Sequence, residues 1–271
     1  MLVSCPTPAK NLAGPYLMAS GRGGSMLAGR GRLQSRAARY TLARMTANQD
    51  IPAMSGEEFV AALTEENNAA LERLGNLSAA GEPGETLSVA KLLRLALKNE
   101  LEASELAAIW MPTTEELDVK LALARQAGDE AKHYRLIAER LKALGVDADA
   151  IDPRQGGYSP LFTYLRDLRD TAARVAAGQF TREGIALIRN QRFIEYCESV
   201  GDHETAALYR DQIQKDERHH HELGRQLLAR YAVTEEQQQA ARQAARRCLE
   251  LAEEIQEMAR LKAGISRAPG C

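Results

Sequence analysis

The chain has 271 residues, with 35 Lys and Arg, 37 Asp and Glu, 45% hydrophobic and 5% aromatic residues, a composition that excludes a wholly disordered protein. Ala and Leu together number 79 and Ile and Val only 18, and because β-sheets depend on β-branched side chains, we predict an all-α fold. Neither a run of 18 uncharged apolar residues nor a Cys-x-x-Cys pair occurs, so we expect a cytoplasmic location and no membrane span, disulfide framework or thiolate zinc site.

A basic segment opens the sequence. Residues 1–44 contain seven Lys or Arg, six Gly and no acid, and such a segment buries too little apolar surface to offset its ordering entropy. We therefore predict a disordered leader over 1–50, a helical domain over 51–264 and a tail over 265–271. Three interpretations of the leader stay open: translation that begins near Met45, an Arg-rich organelle-targeting segment, or a nucleic-acid-binding arm.

Helix start and stop signals follow the basic segment. Capping boxes, in which two residues satisfy each other's free N–H groups, are predicted at Ser55–Glu58, Thr113–Glu116 and Thr234–Gln237. Glycines are expected to end helices at Gly75, Gly145 and Gly264. The predicted helices lie near 55–74, 88–110, 114–144, 203–231 and 234–263. A further helix, before the one at 203–231, is predicted to end at about residue 200.

The connections between these helices predict their topology. Tight turns at Met111-Pro112 and at Gly201-Asp202 join two pairs of helices, and short connections make each pair an antiparallel hairpin. A long crossover over 146–158, followed by a helical run that opens at Ser159-Pro160, separates the hairpins. We therefore predict an antiparallel four-helix bundle with extra helices at both ends.

Each of the four central predicted helices carries a glutamate within its apolar stripe. On two of them a histidine follows the glutamate by one helical turn, which places both side chains on one face. These residues are Glu100 on the first helix, Glu130 and His133 on the second, Glu183 on the third, and Glu217 and His220 on the fourth.

Carboxylates in a helical core are costly unless they are neutral, paired or bound to a metal. One Glu from each of two helices and Glu-x-x-His from each of the other two is the ligand pattern of dinuclear sites in helical bundles. Carboxylate oxygens with two imidazoles suit a pair of iron or manganese ions better than zinc or calcium. The alternative is a set of surface Glu and His side chains on ordinary helices, since Glu is common in this chain.

These motifs resemble those of bacterioferritin and, more broadly, of the ferritin-like di-iron carboxylate superfamily. Leu97-Lys-Asn-Glu100-Leu is similar to the glutamate motif of the family's first helix, Asp129-Glu-Ala-Lys-His133 to its second helix, and Asp216-Glu-Arg-His-His220 to its last helix. The resemblance implies that the four glutamates and two histidines are metal ligands, that Glu130 and Glu217 bridge the metals, and that Asp129 and Asp216 orient the imidazoles.

The resemblance implies a ferritin-like fold with two iron ions, or manganese or a mixed pair, which react with dioxygen or peroxide. The longer crossover and the added helices favour an oxidase or oxygenase, with a reductase and an organic substrate as partners, over a 24-subunit storage cage. A ferroxidase that handles iron, a manganese catalase and a metal-free helical interaction scaffold are the alternatives. No membrane or nucleic-acid partner is expected.

Other side chains are given structural roles. Tyr134, Tyr196 and Tyr209 are expected to pack with satisfied hydroxyls, and Cys197 to be a small core residue. His219 and His221 are expected to be solvated. The last helix has an apolar stripe that is expected to cover the bundle or a second copy of the chain in a homodimer.

Overall fold

The structure is a computed structural model that describes residues 53–79, 88–263 and 268–270. These ranges contain seven helices and no strand, which confirms the all-α prediction. The predicted leader, Met45 and Gly264 lie outside the described residues, and the three domain boundaries stay predictions. The first four helices are α1 (Gly56–Ala79), α2 (Val89–Trp110), α3 (Leu117–Ala143) and α4 (Pro160–Arg166), and the last is α7 (Glu235–Ala263).

Two long helices between α4 and α7 contain π-helical stretches, in which the backbone hydrogen bonds span one more residue than in an α-helix. Helix α5 consists of Thr171–Arg174, a π-helical stretch over Val175–Arg182, and Glu183–Ser199. Helix α6 consists of His203–Leu208, a π-helical stretch over Tyr209–Ile213, and Gln214–Tyr231.

The helix ends test the predicted start signals. At Ser55–Glu58 the Ser55 N–H donates to Glu58 at 3.0 Å and the Glu58 N–H donates back to Ser55 Oγ at 3.4 Å, so this capping box is confirmed. The box at Thr234–Gln237 is confirmed in the same way. The box at Thr113–Glu116 is wrong, because Met111–Thr113 forms a 3-10 turn and the Thr113 hydroxyl donates to the Trp110 carbonyl.

The predicted glycine stops have different outcomes. Gly145 ends α3 with a φ of 81°, as predicted. Gly75 does not end α1, which continues to Ala79. A Cβ atom at Gly75 would lie 2.9 Å from Ile188 Cγ2, so the glycine allows α1 to pack closely on α5 instead of stopping it.

The helices pack as two hairpins with outer helices around them. α2 packs along α3 after the Met111–Thr113 turn, and α5 packs along α6 after a turn at Val200–Asp202. The hairpins contact each other between α3 and α6, while α1 packs on α5 and α6, and α7 on α5 and α1. None of these helices combines the length and the apolarity that crossing a membrane requires.

The core consists of two separate apolar clusters. One contains Leu106, Leu123, Phe180 and Leu227, together with side chains of α1 and α7. The other contains residues of α2, α3, α5 and α6, including Leu97, Ile137, Phe193 and Ile213. On each of these four helices the predicted ligand glutamate lies in sequence between a residue of the first cluster and a residue of the second. The helices therefore place their acidic side chains at the junction of the two clusters.

Candidate metal centre

The structure brings all six predicted ligand residues together in the interior. They form two overlapping groups, in each of which one ligand atom per residue lies within 4.8 Å of all the others. Each of the six residues is at most 3% exposed. The first group is Glu100, Glu130, His133 and Glu217, and the second is Glu130, Glu183, Glu217 and His220. We call these six residues the acid cluster; Glu130 and Glu217 belong to both of its groups.

Each histidine of the acid cluster turns one ring nitrogen inward and the other outward. His133 Nδ1 lies 3.2 Å from Glu130 Oε2 and 3.4 Å from Glu100 Oε2, whereas its Nε2 lies 3.1 Å from Asp216 Oδ2. His220 Nδ1 lies 3.5 Å from Glu217 Oε2. The outer contacts fix the ring planes and leave both Nδ1 atoms among the glutamates.

The acids that contact the outer ring nitrogens, Asp129 and Asp216, each contact the histidine of the other Glu-x-x-His motif. Asp216, on α6, contacts His133 of α3, and Asp129, on α3, contacts His220 of α6 at 3.1 Å. Both acids therefore contact imidazoles as the sequence predicts, but each holds the ring of the opposite helix. The contacts join α3 to α6 on both sides of the glutamates.

A cation accompanies each of these outer acids. Lys132 Nζ lies 2.7 Å from Asp216 and Arg125 Nε lies 3.2 Å from Asp129. The hydrogen bond from His220, with that from Arg125, lowers the pKa of Asp129 to about 2. Burial alone would raise the pKa of Asp216, but hydrogen bonds from Lys132 and His133 hold it below its ordinary value. Both acids thus stay anionic beside the histidines.

Burial and neighbouring charges raise the pKa values of two glutamates of the acid cluster, and the histidines lower that of a third. Burial, together with the charges of Glu130 and Glu217, raises the pKa of Glu100 to about 8. Burial and the same two neighbours raise the pKa of Glu183 well above its ordinary value. Burial would also raise the pKa of Glu130, but the His133 hydrogen bond and the histidine charges outweigh it and lower this pKa to about 2.

The histidines hold their protons among these acids. Burial lowers the pKa of each imidazole, but the neighbouring carboxylates more than reverse this effect. The pKa of His133 is raised to about 12 by Glu100 and Glu130. The pKa of His220 is raised to about 10 by Asp129, Glu217 and Glu130. Without a metal, protons therefore supply the positive charge that the acid cluster needs.

The interior of the acid cluster fits cations. Glu217 Oε2 and His220 Nδ1 are buried and lie 3.5 Å from each other as an ion pair, but neither atom makes a hydrogen bond within the described residues, and buried polar atoms without a hydrogen bond are costly. A small cavity with room for about one water-sized atom is lined by Glu100, Glu130, Glu183 and Glu217. A cation there would lie beside the carboxylates of all four glutamates. Carboxylates with imidazoles form a donor set that metal ions accept.

Sequence reasoning missed several residues around the acid cluster. Gln126 Nε2 donates to Glu183 Oε1 at 2.6 Å, and the spacing of one turn from Gln126 to Glu130 was a signal for it. Arg182, which is 7% exposed, lines the small cavity and donates to the Asn99 carbonyl at 3.4 Å. Nothing in the sequence indicated that the backbone of Gly270 also lines this cavity.

Two of the structural roles need correction. Tyr209 packs in the core against Phe193 as expected, but its buried hydroxyl has no hydrogen-bond partner among the described residues. His221 is only partly exposed, because it stacks on the Phe180 ring and its Nδ1 lies 2.7 Å from the Phe180 carbonyl. Cys197 is fully buried and His219 is exposed, as predicted.

Comparison with known proteins gives one match. A family model described as a protein of unknown function (DUF455) matches residues 34–269. The matched range begins upstream of Met45 and contains the whole acid cluster. No curated protein and no solved structure matches the chain.

Proposed function

This chain belongs to the DUF455 family, whose description assigns no function, and we propose that it is a ferritin-like protein with a dinuclear iron or manganese centre at the acid cluster. In this proposal the centre reacts with dioxygen or peroxide as an oxidase or oxygenase. The observation that carries the proposal is the presence of two four-residue groups that share Glu130 and Glu217.

The shared residues support two ions rather than one. Each group has its own histidine, and Glu100 belongs to one group and Glu183 to the other. A carboxylate has two oxygens and so can contact two cations at once, and Glu130 and Glu217, which belong to both groups, would help to hold both ions. The origin of the ligands, with single glutamates on α2 and α5 and Glu-x-x-His on α3 and α6, is the pattern of dinuclear sites in ferritin-like bundles.

The chain's own residues prepare the site for this chemistry. When bound, iron or manganese ions would supply the one-electron steps that reactions with dioxygen or peroxide require. Asp129 and Asp216 hold the imidazole rings so that both Nδ1 atoms face the glutamates. The apolar clusters lie at both ends of the acid cluster, and its six residues are at most 3% exposed.

The metal content of the full chain, purified without chelators, tests the proposal. We expect about two iron or manganese ions per chain. One zinc ion per chain, or no metal after aerobic reconstitution with ferrous iron, would contradict it.

A pair of variants separates a ligand role of Glu217 from a packing role. Glu217→Gln keeps the shape of the side chain and removes its charge, so we expect lower metal occupancy and slower oxidation of added ferrous iron, with the metal-free fold retained. Glu102→Gln is the control, since Glu102 is a buried acid of α2 outside the acid cluster that accepts hydrogen bonds from Ser159. Equal metal content in the two variants would remove Glu217 from the ligand set.

A further inference from the structure

A short segment near the end of the sequence lies against the acid cluster. The Gly270 N–H donates to Asn190 Oδ1 at 2.8 Å, and Asn99 Nδ2 donates to the Pro269 carbonyl at 2.9 Å. Pro269 and Gly270 are both buried. We call residues 268–270 the closing segment; side chains of α2 and α5 hold its backbone.

Gly270 forms part of the wall of the metal cavity. It lines the small cavity beside the four glutamates, and a Cβ atom added to it would lie 3.5 Å from Glu100 Oε1 and 3.4 Å from the Asn99 side chain. Its φ of 74° is one that other residues rarely adopt. A glycine at this position therefore lets the backbone approach the acid cluster closely.

A second and larger cavity lies next to the closing segment. Its volume is about 360 Å³, within the range of pockets that bind small organic molecules. Asn99 lines both cavities, and Ala268, two residues before Gly270, lines the larger one. The apolar side chains that line the larger cavity include Leu95 of α2, Leu161 of α4, and Ile255, Met258 and Ala259 of α7.

We propose that this larger cavity binds a small apolar organic substrate, and that Asn99 and the closing segment form a movable partition between the substrate and the metal centre. The cavity's size and apolar lining support the binding of an apolar molecule, and its shared border with the metal cavity supports the partition. The assignment as a substrate site rests on the proposed function, whereas the binding of an apolar molecule does not. With the partition closed, only molecules as small as dioxygen or peroxide reach the metals.

The contacts of the closing segment set how often the partition opens. Two hydrogen bonds hold it, one donated by the half-buried Asn99 and one accepted by the buried Asn190, and a local opening breaks both. A net hydrogen bond changes such an equilibrium by up to about tenfold. Loss of either asparagine amide should therefore expose the metal centre more often without unfolding the helices.

Titration of the metal-free full chain with 1-octanol, followed by calorimetry, tests the cavity. We expect the wild type to bind octanol and Ala259→Trp, which fills the cavity, to bind it at least tenfold more weakly. Ile255→Phe is a milder filling change in case the first variant folds poorly. Leu261→Trp is the control, because Leu261 is 70% exposed on the same helix. No binding by the wild type, or equal binding by the filled variants, would overturn the cavity assignment.

The rate at which EDTA removes iron or manganese from the loaded protein tests the partition. Asn190→Ala and Asn99→Ala should each lose metal about tenfold faster than the wild type. Gln238→Ala should lose it at the wild-type rate, since Gln238 likewise tethers backbone with a buried amide but contacts Met54 and Ala232. Unchanged rates in both asparagine variants would overturn the partition. A wild type without metal would defeat the proposed function, while octanol binding would still decide the cavity.

Discussion

Protonation of single residues gives the metal-free acid cluster an unusual pH dependence. The folded chain holds protons on His133 and His220 up to pKa values of about 12 and 10, whereas the unfolded chain releases them near 6.5. Glu100, with a pKa of about 8, also keeps a proton that the unfolded chain loses near 4.5. A state that binds more protons is favoured at low pH, so these groups stabilise the fold below the unfolded pKa and lose that effect as pH rises.

We therefore predict that the free energy of unfolding of the metal-free protein falls between pH 7 and 9, by roughly 1 kcal/mol per pH unit for each of the two histidines. The lowered pKa values of Glu130 and Asp129, about 2 in each case, act only in acid and do not oppose this trend. Metal binding requires deprotonated ligands, so the metal affinity should rise over the same range. Urea unfolding with and without metal measures both, and a metal-free protein that gains stability with pH would disprove the proton assignment.

A second residue-scale prediction concerns Gln126. Its amide holds Glu183 at 2.6 Å, and Gln126→Leu removes this contact, so we expect the metal affinity to fall about 10- to 100-fold while the helices persist. Gln214→Leu is the matched control, because Gln214 is equally buried but donates to the Leu187 carbonyl. A titration with manganese compares the two, and equal affinities would assign Gln126 to packing alone.

The residues of the acid cluster could be predicted because each interrupts an apolar stripe at helical spacing. A charged residue in such a stripe has to be explained by a partner, and the joint pattern of two Glu-x-x-His motifs with two further glutamates favours a metal pair as that partner. Asn99, Arg182 and Asn190 gave no such signal. Their roles depend on contacts with residues 80 or more positions away along the chain, which spacing alone does not reveal.

At the scale of helices, two glycines differ in the space around them, and their replacement by alanine should have opposite effects on stability. A Cβ atom at Gly224 of α6 would lie 2.6 Å from the backbone carbon of Gln179, in the π-helical stretch of α5, whereas a Cβ atom at Gly128 of α3 meets nothing within 4 Å. Gly224→Ala should therefore push α6 from α5 and destabilise the protein by about 1–3 kcal/mol.

Gly128→Ala should instead stabilise the protein by about 0.5–1 kcal/mol, because alanine is the better helix former. Thermal unfolding of the two variants checks the pair. Stabilisation by both changes would show that helix propensity, not the approach of α6 to α5, decides the effect at Gly224.

Helix ends were predictable where a local signal acts alone. The Ser55 and Thr234 capping boxes form because their partners lie within the same four residues. The Thr113 box does not form because Pro112 and Thr113 lie in a 3-10 turn, where the Thr113 hydroxyl donates to the Trp110 carbonyl. The π-helical stretches were harder to predict from the sequence, because one extra residue in a turn shifts the apolar stripe along the sequence without ending the helix.

For the whole molecule, the glutamates and histidines of the acid cluster come from four helices that belong to two hairpins. Metal bound there should connect the hairpins, and at a free metal concentration of 100 times Kd it should stabilise the fold by about 2.7 kcal/mol. For a protein of this size we expect removal of the metal to lower Tm by roughly 5–10 °C. Calorimetry of the loaded protein and of the protein treated with EDTA measures this difference. An unchanged Tm, with the metal shown to be bound, would place it outside the junction of the hairpins.

The two π-helical stretches affect how this protein tolerates changes in chain length. The one in α5 ends immediately before Glu183, and the one in α6 ends four residues before Glu217. A π-helical stretch holds one residue more than an α-helix does over the same turn, so deleting one residue from either stretch would restore ordinary α-helical bonding and keep the two sides of the helix in phase. Deleting one residue from an α-helical part would instead turn one side by about 100° relative to the other and take a glutamate out of the interior. Sequence comparisons should therefore allow a gap of one residue within these stretches, because a chain one residue shorter there can keep every residue of the acid cluster in place.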